Sequence, residues 1–355
     1  MTAPRDDLSK LMLRQGRFDS SDPPEVAAAY FDSAVQAWVL SRHADVLAAF
    51  HSPSLIPGRR DLAKMCLESD EDARLRMREE VRGALSPART RAWRERLGAD
   101  ADEFSRRLPV CEPVDLVAAY AQPLCLRFAA TVTGINESDA DRLAGLAKIV
   151  SAATADPENY ALQAEADRAN ETLRTYFSEG PEPLRDSGFV GLSQTLSGIV
   201  SAAWHALVQF PDQWRQLRGS PQFIDQAMEE LLRYDGVLRT LTRTATEDTD
   251  VNGVSIRKGE WVLLRVFEAN HDPARFVEPN KLDCARRDLR HFVFGTGGHA
   301  CVAANLIRMA AVTMTLPLLA RFTSAELVHP VEWQGGSTMR SPVSLWVALG
   351  CSESL

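Results

Sequence analysis

The stretch GFVGLSQTLSGIVSAAWHALVQF, residues 188–210, constrains the fold more than any other part of the chain. Its length and pattern predict one long apolar helix, ended by Pro211. It has too few polar residues to lie on a surface, so it is expected to run through the middle of the molecule. A chain that hides such a helix must wrap other elements around it on every side. With 355 residues, 45% of them hydrophobic and 25% charged, the chain has the material to do so and the balance of an ordinary globular enzyme.

The rest of the pattern is also mostly helical. AWVLSRHADVLAAF reads as a short strand ending near Leu40 followed by a helix. DEDARLRMREEVRGALSP is a charged helix stopped at Pro87, with Arg74, Arg78 and Arg82 stacked on one side. LCLRFAATVTGI and ADRLAGLAKIVSAATA are further helices separated by a stop at Gly134, and SPQFIDQAMEELLRYDG is another, with Ser220 as N-cap and Gly236 as stop. Strands are few and late: VSIRKGEWVLLRVF reads as a hairpin around Lys258-Gly259, with SLWVALG near the C-terminus as a partner. Length alone allows two domains, but there is no linker, repeat or low-complexity segment. The expectation is a single domain over residues 1–355, mainly α with a small β region.

The formal net charge of −8 argues against a general nucleic-acid or membrane-surface binder. No N-terminal apolar region and no run approaching the ~20 apolar residues of a membrane span are present, so a cytoplasmic protein is expected. Cys66, Cys111, Cys125, Cys284, Cys301 and Cys351 are scattered, with no C-x-x-C pair. That excludes a recognisable zinc site or disulfide framework.

Cys301 has unusual neighbours, in HFVFGTGGHACVAANLIRMA. Gly295, Gly297 and Gly298 remove side chains where something bulky approaches the backbone, and they permit left-handed geometry. Their amides can point at the sulfur. A helix starts just beyond, and its unpaired N–H groups favour a thiolate. Such a thiolate is a good soft metal ligand. The same residues also fit a plain thiol in a glycine-rich turn before a helix. A nucleophile is the least favoured reading, because no His–Asp pairing is visible.

FGTGGHAC, Phe294 to Cys301, resembles the haem-binding signature of cytochromes P450. Other segments follow in the right order: Glu230 and Arg233 match the family's Glu-x-x-Arg pair, and ANHDPARFVEPNKLD resembles the region before its cysteine loop. The resemblance runs from about Trp38 onward and is tightest over 225–310. It implies the cytochrome P450 fold, with haem b enclosed between the central helix (188–210) and the cysteine loop (294–301), and Cys301 as the iron's thiolate ligand. Phe294 and Gly295 would lie against the porphyrin. Arg74, Arg78, Arg243 and His299 would meet the haem propionates, while Arg76 and Arg82 fall outside the site. Glu230 and Arg233 would be structural, tying down the loop that leads to Cys301.

The sequence departs from the family at two motifs and in length. Ala303 stands where a glycine is usual, two residues after the cysteine. The oxygen-activation motif falls on GLSQT, where Thr195 keeps the hydroxyl but Gln194 replaces the acid and Leu192 the second glycine. Glutamine orients water but cannot carry a proton as a carboxyl does. The chain is also short before the charged helix and before the central helix, which suggests an open pocket for a bulky or carrier-tethered substrate; Leu192, Leu238, Thr240 and Leu241 are its lining candidates by family position.

The resemblance implies a monooxygenase-type oxidoreductase acting on a small-molecule natural product, by hydroxylation, epoxidation or oxidative cyclisation. It implies a ferredoxin-type electron donor and a monomer. Two other readings stay open: a non-catalytic helper of a glycosyltransferase, suggested by the shortened chain, and a peroxide-dependent or redox-neutral haem enzyme, suggested by Gln194.

Overall fold

The computed structural model describes residues 26–58, 71–157, 159–178, 184 and 186–350, without the side chains of residues 71–74 and 186. The segments 59–70 and 179–183, to which the shortened lids belong, lie outside the described residues.

Helices dominate, and local sequence explains where they begin and end. After α1 (His43–His51), the charged helix α2 spans Glu71–Ala84. Ser86 then accepts a hydrogen bond from the Arg89 amide, and Pro87 opens α3 (Pro87–Arg107). This is the favoured cap-then-proline start, since proline has no N–H to leave unpaired. α4 (Gln122–Thr133) ends at Gly134, whose φ of 74° is the left-handed C-cap that glycine adopts without a Cβ penalty. Asn136 takes the Asp139 amide at 2.8 Å and starts α5 (Glu137–Ala155), against which α6 (Tyr160–Phe177) packs.

The central helix is built as the apolar pattern predicts, but not as a uniform α-helix. α7 (Asp186–Val190) passes into one π turn, Gly191–Thr195, and then into α8 (Leu196–Gln209). Every residue from Leu196 to Val208 is buried. α9 (Pro211–Gly219), α10 (Ile224–Asp235), a single turn α11 (Val266–Ala269) and α12 (Ala304–Arg321) complete the helical set. One large core joins α3, α4, α8, α10 and α12 through Trp204, Phe128, Leu231 and Met314. Trp204 donates from its indole nitrogen to Thr315 at 2.9 Å, which satisfies a polar group inside that core.

The described residues hold twelve short strands, β1 to β12. A five-stranded sheet has the order β1-β2-β8-β5-β3, from Tyr30–Asp32, Ala37–Leu40, Trp261–Arg265, Thr240–Ala245 and Leu55–Pro57. A three-stranded sheet joins β4 (Pro113–Asp115), β12 (Trp346–Gly350) and β9 (Ser324–Leu327). Two hairpins stand apart, β6 (Thr249–Val251) with β7 (Val254–Ile256) and β10 (Glu332–Gly335) with β11 (Arg340–Ser344).

Three local expectations are corrected. The hairpin around Lys258-Gly259 is not formed: β7 pairs back to β6, while β8 pairs parallel with β2 and antiparallel with β5. The hairpin turn is Asn252-Gly253, with φ of 50° and 85°, as a two-residue type I′ connection requires. β12 is therefore no partner of β8; it lies between β4 and β9. Ser220 makes no capping bond from its side chain, because the chain first takes a 3-10 turn, Pro221–Phe223, before α10 begins.

Candidate functional site

Backbone geometry explains the glycines around Cys301. Gly295 and Gly297 adopt φ of 63° and 73°. A Cβ at Gly297 would lie 2.9 Å from the Phe50 carbonyl oxygen, so α1 approaches this loop as closely as a bare backbone permits. The Gly295 amide donates to the Phe292 carbonyl at 2.8 Å, and the Cys301 amide closes the loop onto the Phe294 carbonyl at 2.8 Å. Cys301 itself is exposed. α12 begins three residues later without a side-chain cap, so the positive end of its dipole stands beside the sulfur. Ala303 has φ of −91°, open to any residue, so its methyl in place of glycine demands no backbone change. Phe294 is buried beneath the loop, with the Arg308 guanidinium 4.6 Å over its ring.

Of the four expected propionate partners, Arg78 touches this loop directly and Arg243 stands behind Phe50, which packs against it. Arg78 donates from Nη1 to the Ala300 carbonyl at 2.7 Å. Arg243, in β5, is buried with its guanidinium 5.4 Å over the Phe50 ring, and Phe50 is the side chain nearest Gly295. His299 is half-buried in the one-turn 3-10 helix Gly297–His299. The Arg74 side chain lies outside the described residues.

Behind the loop, Glu230 and Arg233 are both completely buried and pair at 2.7 and 2.9 Å on one face of α10. The pair does more than neutralise itself. Arg233 Nη1 donates to the carbonyls of Asn270 and Pro279, and Glu230 accepts from the Asp283 amide and from Arg286 Nε. Asn270 then takes the Phe292 amide at 2.8 Å, which carries the restraint to the first residues of the cysteine loop. Arg286, Asn270, and the contact of the His43 amide with Asp272 at 2.8 Å were not singled out from sequence. The asparagine and aspartate sit in the ANHDP stretch, which was the available signal.

His271 gives this network a pH dependence. Its neutral ring donates to the Phe267 carbonyl at 2.9 Å. Burial, reinforced by the nearby Arg233 charge, lowers its pKa from 6.5 to about 3. Below pH 6.5 the unfolded chain takes up a proton that the folded chain refuses, so this contribution to stability is complete above 6.5 and declines toward pH 3. The expected decline is about 1.4 kcal/mol per pH unit. Urea unfolding of the parent and of His271→Asn at pH 7, 5 and 4 measures it; the variant is expected to show the shallower loss, and parallel losses would refute the assignment.

The π turn Gly191–Thr195 widens the central helix where the oxygen-activation motif was placed. Such turns concentrate at functional positions. Gln194 and Thr195 are half-buried there, and Gln194 Nε2 reaches Ser193 Oγ only at 3.5 Å, the outer limit of a hydrogen bond. The four pocket candidates do not share one packing cluster. Leu192 belongs to the large helical core, whereas Leu238 and Leu241 pack with Phe50, Leu55 and Phe292. Thr240 is buried opposite Arg265 in the β5–β8 ladder.

The donor set indicates what kind of metal group fits. Among the described residues no three His, Cys, Asp or Glu side chains are grouped to hold an ion. A lone thiol with a helix N-terminus behind it suits a metal that brings its own equatorial ligands, and the flanking arginines suit a cofactor carrying carboxylates. The residues present fit haem.

Comparison with known proteins gives the same family. The family profile described as Cytochrome P450 matches residues 213–334. Nocardicin C N-oxygenase of Nocardia uniformis subsp. tsuyamanensis is 28% identical over 356 residues, covering 87% of this chain and 88% of that protein. The P450 enzyme CxnD, solved as the enzyme for C–S bond formation in chuangxinmycin biosynthesis, superposes with a TM-score of 0.75 at 25% identity, over 89% of this chain and 88% of that one. P450BioI, solved in complex with hexadec-9Z-enoic acid ligated acyl carrier protein, has the same fold, with a TM-score of 0.81 at 22% identity over 96% and 99% of the two chains.

Proposed function

The chain belongs to the cytochrome P450 family and is a haem-dependent oxidoreductase, and from that premise we propose that it oxidises a small-molecule natural product through haem b held by Cys301. The observation that carries the reading is the loop itself: an exposed thiol at an uncapped helix start, with Arg78 on the Ala300 carbonyl and Arg243 over Phe50, the ring that packs against Gly295. Bound haem supplies the one-electron and oxygen chemistry that no side chain provides. Cys301 would donate charge to the iron, and Arg78 and Arg243 would take the propionates, with Arg74 and His299 as further partners. Glu230 and Arg233 hold the approach to the loop in place. On the opposite side, Thr195 would hold a proton near the reacting oxygen, and Gln194 would orient a water.

N-oxygenation by nocardicin C N-oxygenase and C–S bond formation by CxnD are both oxidations in natural-product chemistry, and they support that substrate class here. The rest of the proposal is a single domain, monomeric and cytoplasmic, reduced by a ferredoxin-type donor and accepting a free or carrier-tethered substrate. No helix among the described residues is long and apolar enough to cross a membrane. Leu192, Leu238, Thr240 and Leu241 are proposed to meet the substrate. Gln194 favours a second reading as well: without a carboxyl in this turn, peroxide could serve as the oxidant in place of dioxygen and electrons.

The decisive measurement is the reduced carbon-monoxide difference spectrum of the purified protein. A red-shifted band of the thiolate type is expected. A folded protein that takes up no haem would refute the reading. Turnover with peroxide but none with dioxygen and electrons would select the second one.

A further inference from the structure

The outer strand of the five-stranded sheet carries an exposed aromatic ring. Phe31, in β1, is 40% exposed and stands across from Trp38 of β2, the two rings meeting edge to face with centroids 5.6 Å apart. These rings, the β6–β7 hairpin and the turn that enters β8 bound an open groove of about 650 Å³. Asp248, Asp250, Arg257 and Glu260 line it with Phe31 and Trp38. That volume lies within the roughly 300–1,000 Å³ of small-ligand sites. None of these residues belongs to the haem site described above.

The three carboxylates are held in place but not neutralised. Glu260 Oε2 accepts from the Trp38 indole nitrogen at 2.8 Å and from the Arg257 amide at 2.9 Å. Asp248 Oδ1 accepts from the Lys258 amide and Asp250 Oδ1 from the Gly253 amide, both at 2.8 Å. Each carboxylate uses one oxygen this way, and its other oxygen takes no hydrogen bond within the described residues. No described lysine or arginine forms an ion pair with any of the three, although Arg257 lines the same groove. Glu229, Glu230, Asp235 and Glu268, by contrast, each have an arginine partner. Nor do the three acids converge on one point: among the described residues no three such side chains are grouped to hold a metal ion. Negative charge spread around two aromatic rings matches a cation whose own charge is spread over carbon. The negative face of each ring attracts the same kind of cation.

We propose that this groove is an accessory binding site for a small organic cation of the quaternary or alkylated ammonium class. The alkylated nitrogen sits against Phe31 and Trp38, and Asp248, Asp250 and Glu260 supply the countercharge. Trp38 joins the two parts, since its indole N–H holds Glu260 while its ring forms the wall. The site does not depend on the functional reading above.

A ligand-observed NMR titration of the purified full chain tests it. Choline is the probe, and 3,3-dimethylbutan-1-ol, which has the same shape without the charge, is the control. Choline is expected to bind about tenfold or more tightly than the alcohol, and more weakly as salt rises. In the triple variant Asp248→Asn, Asp250→Asn, Glu260→Gln every amide and indole donor still meets a carbonyl oxygen, so folding is expected to be retained. Its affinity for choline is expected to fall about tenfold or more. Phe31→Ala, a change at an exposed edge position, is a second variant and is expected to weaken choline about threefold. Equal binding of choline and the alcohol overturns the proposal, as does choline affinity unchanged in both variants. No binding up to about 10 mM choline overturns it as well, because that is weaker than any specific site needs. Binding of a tetralysine peptide with choline silent makes the groove a protein-docking surface and overturns the small-ligand assignment. The titration requires no turnover, so failure of the oxidative reading leaves its outcome standing.

Discussion

Arg233→Leu is expected to lower the stability of the protein by about 3–5 kcal/mol, the usual cost of breaking a buried ion pair from one side. The side chains of Arg233 and Glu230 are both 0% exposed, so neither charge has water to fall back on. Loss of the guanidinium leaves the Asn270 and Pro279 carbonyls without that donor and leaves Glu230 with only the Asp283 amide and Arg286. Arg286→Leu is expected to cost less, because its side chain is 12% exposed and stands at the outer end of the network. Urea unfolding of the two variants gives the comparison. In the haem-loaded protein, Arg233→Leu is also expected to release the cofactor more readily, since Asn270 holds the Phe292 amide at the start of the cysteine loop. A variant within 1 kcal/mol of the parent would show that the pair organises little.

The legible parts of this chain are the ones governed by residues close in sequence. Apolar composition predicts that α8 is buried, Gly134 marks the stop of α4, and the Glu-x-x-Arg spacing places two side chains on one helical face. The cysteine loop is legible for the same reason, because positive φ at Gly295 and Gly297 is a local demand. Partners distant in sequence are not. Trp261–Arg265 looks like one arm of a local hairpin, yet it pairs parallel with Ala37–Leu40, more than two hundred residues away. Apolar periodicity identifies a helix face but is blind to hydrogen-bond register, so the π turn at Gly191–Thr195 leaves no trace in it. Arg286 and Asn270 are ordinary polar residues until the fold brings them to Glu230 and Arg233.

Cys301→Ala is expected to abolish the thiolate-type carbon-monoxide band while leaving the fold intact. The side chain is exposed, and the bond that closes its loop runs from the backbone amide to Phe294, so alanine keeps the loop geometry. An exposed substitution of this kind changes stability by about 0.5 kcal/mol or less. No other described cysteine is placed to take over. Burial pushes the Cys284 thiol up to about 12 and holds Cys125 protonated still more firmly, so neither yields a thiolate at neutral pH. Cys111 is exposed, but its amide is tied to the Leu349 carbonyl beside the C-terminal sheet, and it is not followed by a helix start as Cys301 is. Cys301→His puts a nitrogen where the sulfur was, and is expected to bind haem with a band of the nitrogen type. Thermal unfolding of the haem-free proteins separates the two effects: melting points matching the parent, together with loss of the band, assign the sulfur to the iron. Persistence of the thiolate band in Cys301→Ala would remove that assignment and the oxidative chemistry built on it.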